Sequence, residues 1–230
     1  MPDYTKLIES FKDKNVKFIT CDVVYDEIKS SIPGNWDVKE LEKKLHEKSD
    51  ILRKELQKEI DLSQEYDLII LGYGLCGKSV DGLVSKNTYI IIPKCDDCIA
   101  MLLGSTKEYK KQFDKEPGTY YLTRGYIGDI ESSFLDNYEA IKDKYDQETW
   151  DWFLKEMMKN YKRLVYINTG NYEPGAWRVK AKEEADKLDL EFEEIHGTNE
   201  IFDKILNLDI DDEFLLIKPG VSIKADMFTI

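Results

Sequence analysis

Residues 67–99 read DLIILGYGLCGKSVDGLVSKNTYIIIPKCDDCI, and this stretch decides the fold. Two apolar, β-rich runs, 68–71 and 89–92, each finish in a turn that carries cysteine. The first run delivers Cys76 inside a glycine-rich loop, and the second delivers Cys95 and Cys98 with the spacing C-x-x-C. Upstream, a third run, 16–20, ends directly in Cys21. Every cysteine of the chain therefore follows the carboxyl end of an expected strand. In an open α/β sheet those ends border one crevice, where ligands bind.

Working outward, the sequence predicts helices over 3–13, 23–30, 38–47 and 51–60. Asp37 and Ser49 are expected to cap the last two, with Leu41 and Leu45 sharing one face and Ile51, Leu52, Leu56 and Ile60 forming an apolar stripe. Downstream come a helix at 97–103, a charged helix at 107–112 and a strand at 119–123. The region 131–161 reads as helical and aromatic. The last third alternates strand and helix: 164–167, 176–187, 190–195, 200–206 and 214–217. This alternation predicts an α/β fold, a mostly parallel sheet with flanking helices and right-handed crossovers. The expected organisation is one domain over 1–230, with two similar Rossmann-like lobes, 1–128 and 160–230, joined by the segment 131–161.

The chain has 230 residues, 42% hydrophobic and 12% aromatic, enough for a real core. Its net charge of −13 opposes binding to a nucleic-acid backbone. No run is long enough to span a bilayer, and MPDYTKLIESFKDK lacks a signal-peptide apolar region, so a cytoplasmic protein is expected. In a reducing compartment, cysteines serve metal binding or catalysis more often than disulfides.

Gly72, Gly74 and Gly77 satisfy G-x-G-x-x-G, and residues 72–79 also satisfy the phosphate-loop pattern ending in Lys78-Ser79. Only about ten residues separate Gly77 from the next strand, and Gly82 interrupts them, which leaves little room for the helix whose amino end would hold a phosphate. The alternative is that the glycines permit a tight turn bringing Cys76 close to other backbone. For the cysteines, burial as small hydrophobes competes with a shared metal site. A Cys95/Cys98 redox pair is a further reading, opposed by Asp96 and Asp97, which disfavour a thiolate. His46 and His196 read by default as surface or turn histidines. Thr123, Arg124 and Tyr126 follow another strand end, where they could orient an anionic substrate; the ordinary role for Arg124 is a surface salt bridge.

The pieces GYGLCG, IIPKCDDCIAMLLGS, PGTYYLTRGY and FLLIKPG resemble a bacterial and archaeal family of unknown function, DUF1638-like, over residues 21–220. The resemblance implies a Cys3His-type metal site of Cys21, His46, Cys76 and Cys98, with Cys95 as a further thiolate. It also implies zinc or an iron–sulfur cluster as cofactor, and a place in one-carbon metabolism beside a corrinoid protein or methyltransferase. Three functions follow as expectations. The first is a metal-dependent, methyltransferase-type enzyme acting on a small molecule. The second is a non-catalytic accessory protein that uses the aromatic segment 134–153 as an interface. The third is a nucleotide-phosphate-binding enzyme using residues 72–79.

Overall fold

The computed structural model describes residues 5–127 and 144–228. The chain is a mixed α/β protein divided into two compact units, Met1–Thr106 with Asn199–Ile230, and Lys107–Thr198. The strands are β1 (Val16–Cys21), β2 (Trp36–Leu41), β3 (Leu68–Gly72), β4 (Tyr89–Pro93), β5 (Thr119–Leu122), β6 (Arg163–Asn168), β7 (Glu191–His196) and β8 (Phe214–Ile217).

The first unit carries a five-stranded sheet in the order β2-β1-β3-β4-β8. Its first four strands run parallel, and β8 closes the edge antiparallel to β4. Strands β1, β3 and β4 are almost continuously apolar because both faces are covered, as parallel strands require. Phe18, Ile19, Leu68, Ile69, Ile70, Leu71, Ile90, Ile91 and Ile92 are all fully buried. The helix Ser49–Leu62 supplies Leu52, Leu56 and Ile60 to this core, while Ile51 is 39% exposed.

Residues 36–41 correct the sequence reading. They form β2 rather than the start of a helix capped by Asp37, and only a short 3-10 turn, Lys43–Glu47, follows. The i, i+4 spacing of Leu41 and Leu45 suited a helix, but the segment pairs in parallel with all six residues of β1. Trp36 also meets Phe18 edge-on, with ring centroids 6.0 Å apart. A tertiary partner has overridden a local pattern.

The second unit has a parallel three-stranded sheet, β5-β6-β7. Its core packs Leu122, Leu164, Tyr166, Ala181, Ala185 and Leu190 together. Within it, the helix Gln147–Met158 occupies part of the expected helical region; residues 134 and 138 of the aromatic segment lie outside the described residues. The second unit begins and ends between β4 and β8, because the helix Glu200–Asn207 and β8 return to the first sheet. The division thus runs differently from lobes at 1–128 and 160–230: strand pairing across distant sequence, invisible to local alternation, sets it. Among the described residues, no helix is long and apolar enough to cross a membrane.

Candidate functional site

The order β2-β1-β3-β4 reverses direction between β1 and β3, which lie side by side with Thr20 opposite Gly72. Such a reversal opens a crevice beyond the carboxyl ends of the two strands. Cys21 is the last residue of β1, and Tyr73 to Cys76 leave the end of β3. From the next strand, Lys94 to Asp97 lead into the short helix Cys98–Leu103, capped by the Asp97 carboxylate accepting from the Ile99 amide at 2.9 Å. The three cysteine-bearing turns thus stand at adjacent strand ends.

The turns after β3 and β4 are fastened backbone to backbone. The Leu75 amide donates to the Cys95 carbonyl at 2.8 Å, and the Cys76 amide to the Asp96 carbonyl at 2.7 Å. Gly74 permits this approach, since a Cβ there would lie 2.7 Å from the Cys95 carbonyl oxygen and 2.9 Å from the Asp97 nitrogen. Beyond it, Cys76, Gly77 and Lys78 all take positive φ, at 44°, 62° and 68°. Residues 76–82 form successive turns, with no helix to hold a phosphate. The amides of Leu75 and Cys76, which a phosphate loop would offer its ligand, are already spent.

All four cysteines are free thiols; Cys21, Cys95 and Cys98 are buried and Cys76 is half-buried. Burial pushes the Cys21 thiol up to about 12, against the amides of Val23 and Val24, which favour the thiolate. Burial likewise raises Cys76, with Cys21 and Asp97 adding to the effect, although the Gly74 and Cys98 amides oppose it. Cys95 is raised well above the ordinary range, again by burial first, then by Cys76 and acidic neighbours. The same electrostatic company surrounds Tyr73: burial raises its phenol most, followed by Cys21, Cys76, Asp22 and Cys98. The thiols of Cys21, Cys76 and Cys98 thus come from three turns at adjacent strand ends and lie within electrostatic reach of Tyr73.

His46 belongs to this group too. The 3-10 turn places its ring against Tyr73, and burial lowers its imidazole below the usual value while Asp22 pulls the other way. Its Nε2 is buried without a hydrogen-bond partner, as is the Tyr73 hydroxyl. Asp22 joins the pieces, accepting from the Val23 amide at 2.8 Å and the Lys43 amide at 3.0 Å. One carboxylate thus ties the residue after Cys21 to the turn that carries His46. Sequence reasoning missed both Asp22 and Tyr73. The available signals were their positions, directly after a cysteine and between two glycines of the loop.

Three thiols and an imidazole are a donor set suited to a soft or borderline metal. Among the described residues, no three His, Cys, Asp or Glu side chains converge closely enough to hold an ion.

Thr123, Arg124 and Tyr126 lie at the end of β5 in the second unit. The Arg124 amide donates to the Tyr172 hydroxyl at 3.1 Å, and its guanidinium sits over the rings of Tyr172 and Trp177, 5.2 and 5.8 Å from their centroids. Thr123 is fully buried with its hydroxyl unpartnered, and Tyr126 packs on the local core.

A family described as "Protein of unknown function (DUF1638)" matches residues 40–206. The chain belongs to this family. The DUF1638 match covers the Cys76, Cys95 and Cys98 turns and His46, and Cys21 lies ahead of it. No curated protein and no solved structure matches the chain.

Proposed function

We propose that the first unit is a thiolate metal centre, holding zinc or an iron–sulfur cluster through Cys21, Cys76 and Cys98, with His46 or Cys95 completing the set. The observation that supports this reading is that the cysteine-bearing turns stand at three adjacent strand ends, two of them bonded backbone to backbone, near a histidine with a buried, unpartnered ring nitrogen. The protonation of the thiols supports it. A thiol used as a nucleophile or redox dithiol needs a lowered pKa, whereas burial and acidic neighbours hold Cys21, Cys76 and Cys95 in the neutral form. A bound cation supplies the missing positive charge, and its arrival displaces the thiol protons.

When bound, zinc with an open position supplies Lewis-acid activation of a thiol or methyl acceptor, and an iron–sulfur cluster supplies electron transfer. On the family resemblance we assign the centre to methyl transfer in one-carbon metabolism, with a corrinoid protein or methyltransferase as partner and a small molecule as substrate. The chain's own part is to exclude water from the thiols and to fix the three turns, through the Leu75 and Cys76 amide bonds and the Asp22 bridge.

The test is an anaerobic titration of the reduced, metal-free chain with Zn²⁺ against a chromophoric chelator. About one equivalent should bind with release of protons, and Ser replacement at Cys21, Cys76 or Cys98 should abolish binding. Absence of binding by the unaltered chain would overturn the proposal.

A further inference from the structure

Strands β3 and β4 run parallel, so residues 73–88 must cross over the sheet, a task that a helix usually performs. Here the crossover holds no helix, and residues 76–82 are successive turns. The Ser79 amide donates to the Cys76 carbonyl, the Asp81 amide to Lys78 and the Leu83 amide to Val80, each at 3.2 Å. The turns therefore run without a break from Cys76 to Leu83. Cys76 and Lys78 take φ of 44° and 68°. L-residues resist that conformation and keep it only where their surroundings over-determine it.

Two clasps hold the crossover. On one side the helix Ser49–Leu62 reaches it through Arg53, which donates to the Lys78 carbonyl at 2.7 Å. Gln57 adds a pair of bonds, donating to the Val84 carbonyl at 2.8 Å and accepting from its amide at 3.0 Å. On the other side lie residues 220–225. The Gly220 amide donates to the Ser85 carbonyl at 2.7 Å, and Gly82 and Ile223 bond each way, Gly82 amide to Ile223 carbonyl and Ile223 amide to Leu83 carbonyl, both at 2.8 Å. The Ala225 amide donates to the Asp81 carboxylate at 2.9 Å, 144 residues away in sequence. The two clasps differ in how firmly they are rooted. The helix is anchored by fully buried Leu52, Leu56 and Ile60, whereas Ile223 is buried between exposed Val221 and Lys224. A segment fastened by one apolar side chain and a few backbone bonds opens before the core does. We infer that residues 220–225 are a latch on the loop that carries Cys76: seated, they hold the left-handed turn in its strained form, and released, they let it relax and expose the Cys76 thiol. The latch controls access to the site proposed above, and it rests on the place of Cys76 there, not on what the thiols bind.

The experiment alkylates the reduced chain with iodoacetamide under native conditions, a chelator being present, and reads each cysteine separately by peptide mass analysis. Asp81→Ala removes the acceptor of the Ala225 amide, Asp81→Asn keeps an acceptor oxygen, and Glu193→Gln weakens the second unit without touching the latch. Asp81→Ala should quicken alkylation of Cys76 about ten-fold, the factor that follows from losing one hydrogen bond to a charged acceptor. Buried Cys21, Cys95 and Cys98 should keep their wild-type rates. Asp81→Asn should return Cys76 most of the way to its wild-type rate, and Glu193→Gln should leave it there. An unchanged Cys76 rate in Asp81→Ala would overturn the latch. So would equal acceleration of all four cysteines, which is the signature of unfolding as a whole. Because the chelator keeps metal out of the assay, either failure leaves the metal centre to its own titration.

Discussion

The His46 imidazole lies stacked on the Tyr73 ring, with centroids 5.7 Å apart and planes 23° from parallel. The two residues come from opposite sides of β1: His46 follows β2, and Tyr73 follows β3. Their contact therefore spans the end of β1, where Cys21 sits. This places an imidazole and a phenol, each with a buried unpartnered atom, over the point where the sheet order reverses.

The position of His46 depends on Asp22. Replacing Asp22 with Ala leaves the Val23 and Lys43 amides without their acceptor, a loss of about 1–2 kcal/mol in denaturant unfolding. Amide hydrogen exchange at Lys43 should quicken, because the turn carrying His46 is released from the end of β1. Asp22→Asn restores an acceptor oxygen and should recover part of the loss. Unchanged Lys43 exchange in Asp22→Ala would contradict the assigned tether.

Gly74 is where the turns after β3 and β4 come closest. A methyl group there meets backbone of Cys95 and Asp97, which cannot move aside as a flexible side chain can. Gly74→Ala should cost about 1–3 kcal/mol, the range for forcing extra volume into a packed region. It should also spread Cys76 from Cys98 and so weaken Zn²⁺ binding more than it weakens the fold. A variant with native stability and native affinity would show that the close approach is unimportant.

Lys78 separates the turn reading from the phosphate-loop reading. It is exposed with φ of 68°, a conformation that costs an L-residue roughly 1–2 kcal/mol, and its carbonyl accepts from Arg53 at 2.7 Å. Lys78→Gly keeps the carbonyl and relieves the strain, so stability should hold or rise by about 0.5 kcal/mol after the added chain entropy of glycine. Metal binding should be unchanged. Equilibrium dialysis that finds ATP bound by the wild type and lost from this variant would favour the phosphate loop instead.

In the second unit, Glu193 governs a pH dependence. Lys115 at 2.7 Å and then Arg163 at 2.5 Å hold its carboxyl below the usual value, and Arg163 is otherwise buried among Thr119 and Gln112. A carboxyl whose folded pKa is depressed stabilises the fold fully above its unfolded pKa, about 4.3, and loses that contribution as pH falls through the folded value. Glu193→Gln should therefore cost about 1–2 kcal/mol at pH 7, limited by the partial exposure of the carboxylate. The two proteins should converge near pH 3. A gap that persisted at low pH would assign the effect to packing.

The parts of this fold that a sequence discloses are those fixed by short-range chemistry. The apolar runs of β1, β3 and β4 and the cysteines at their ends are legible because buried parallel strands need unbroken hydrophobics. Residues 36–41 are not, since WDVKEL carries a strand pattern and a helix pattern at once and only β1 decides between them. His46 read as a surface histidine for the same reason: its burial follows from β2, which moved the turn onto Tyr73. Tyr73 lies inside a glycine motif whose spacing carries no signal about the residue between its first two glycines. The antiparallel return of β8 has no local signature, because the choice of an edge partner is settled across the whole sheet.

The central claim is that these thiols serve a metal. The most direct measurement is metal and labile-sulfide analysis, with a visible absorption spectrum, on chain purified without oxygen, alongside its Cys76→Ser variant. The account predicts either about one zinc per chain without colour or iron with labile sulfide and a brown colour, and in both cases loss of the metal from the variant. Metal-free wild-type chain with four titratable thiols would contradict it.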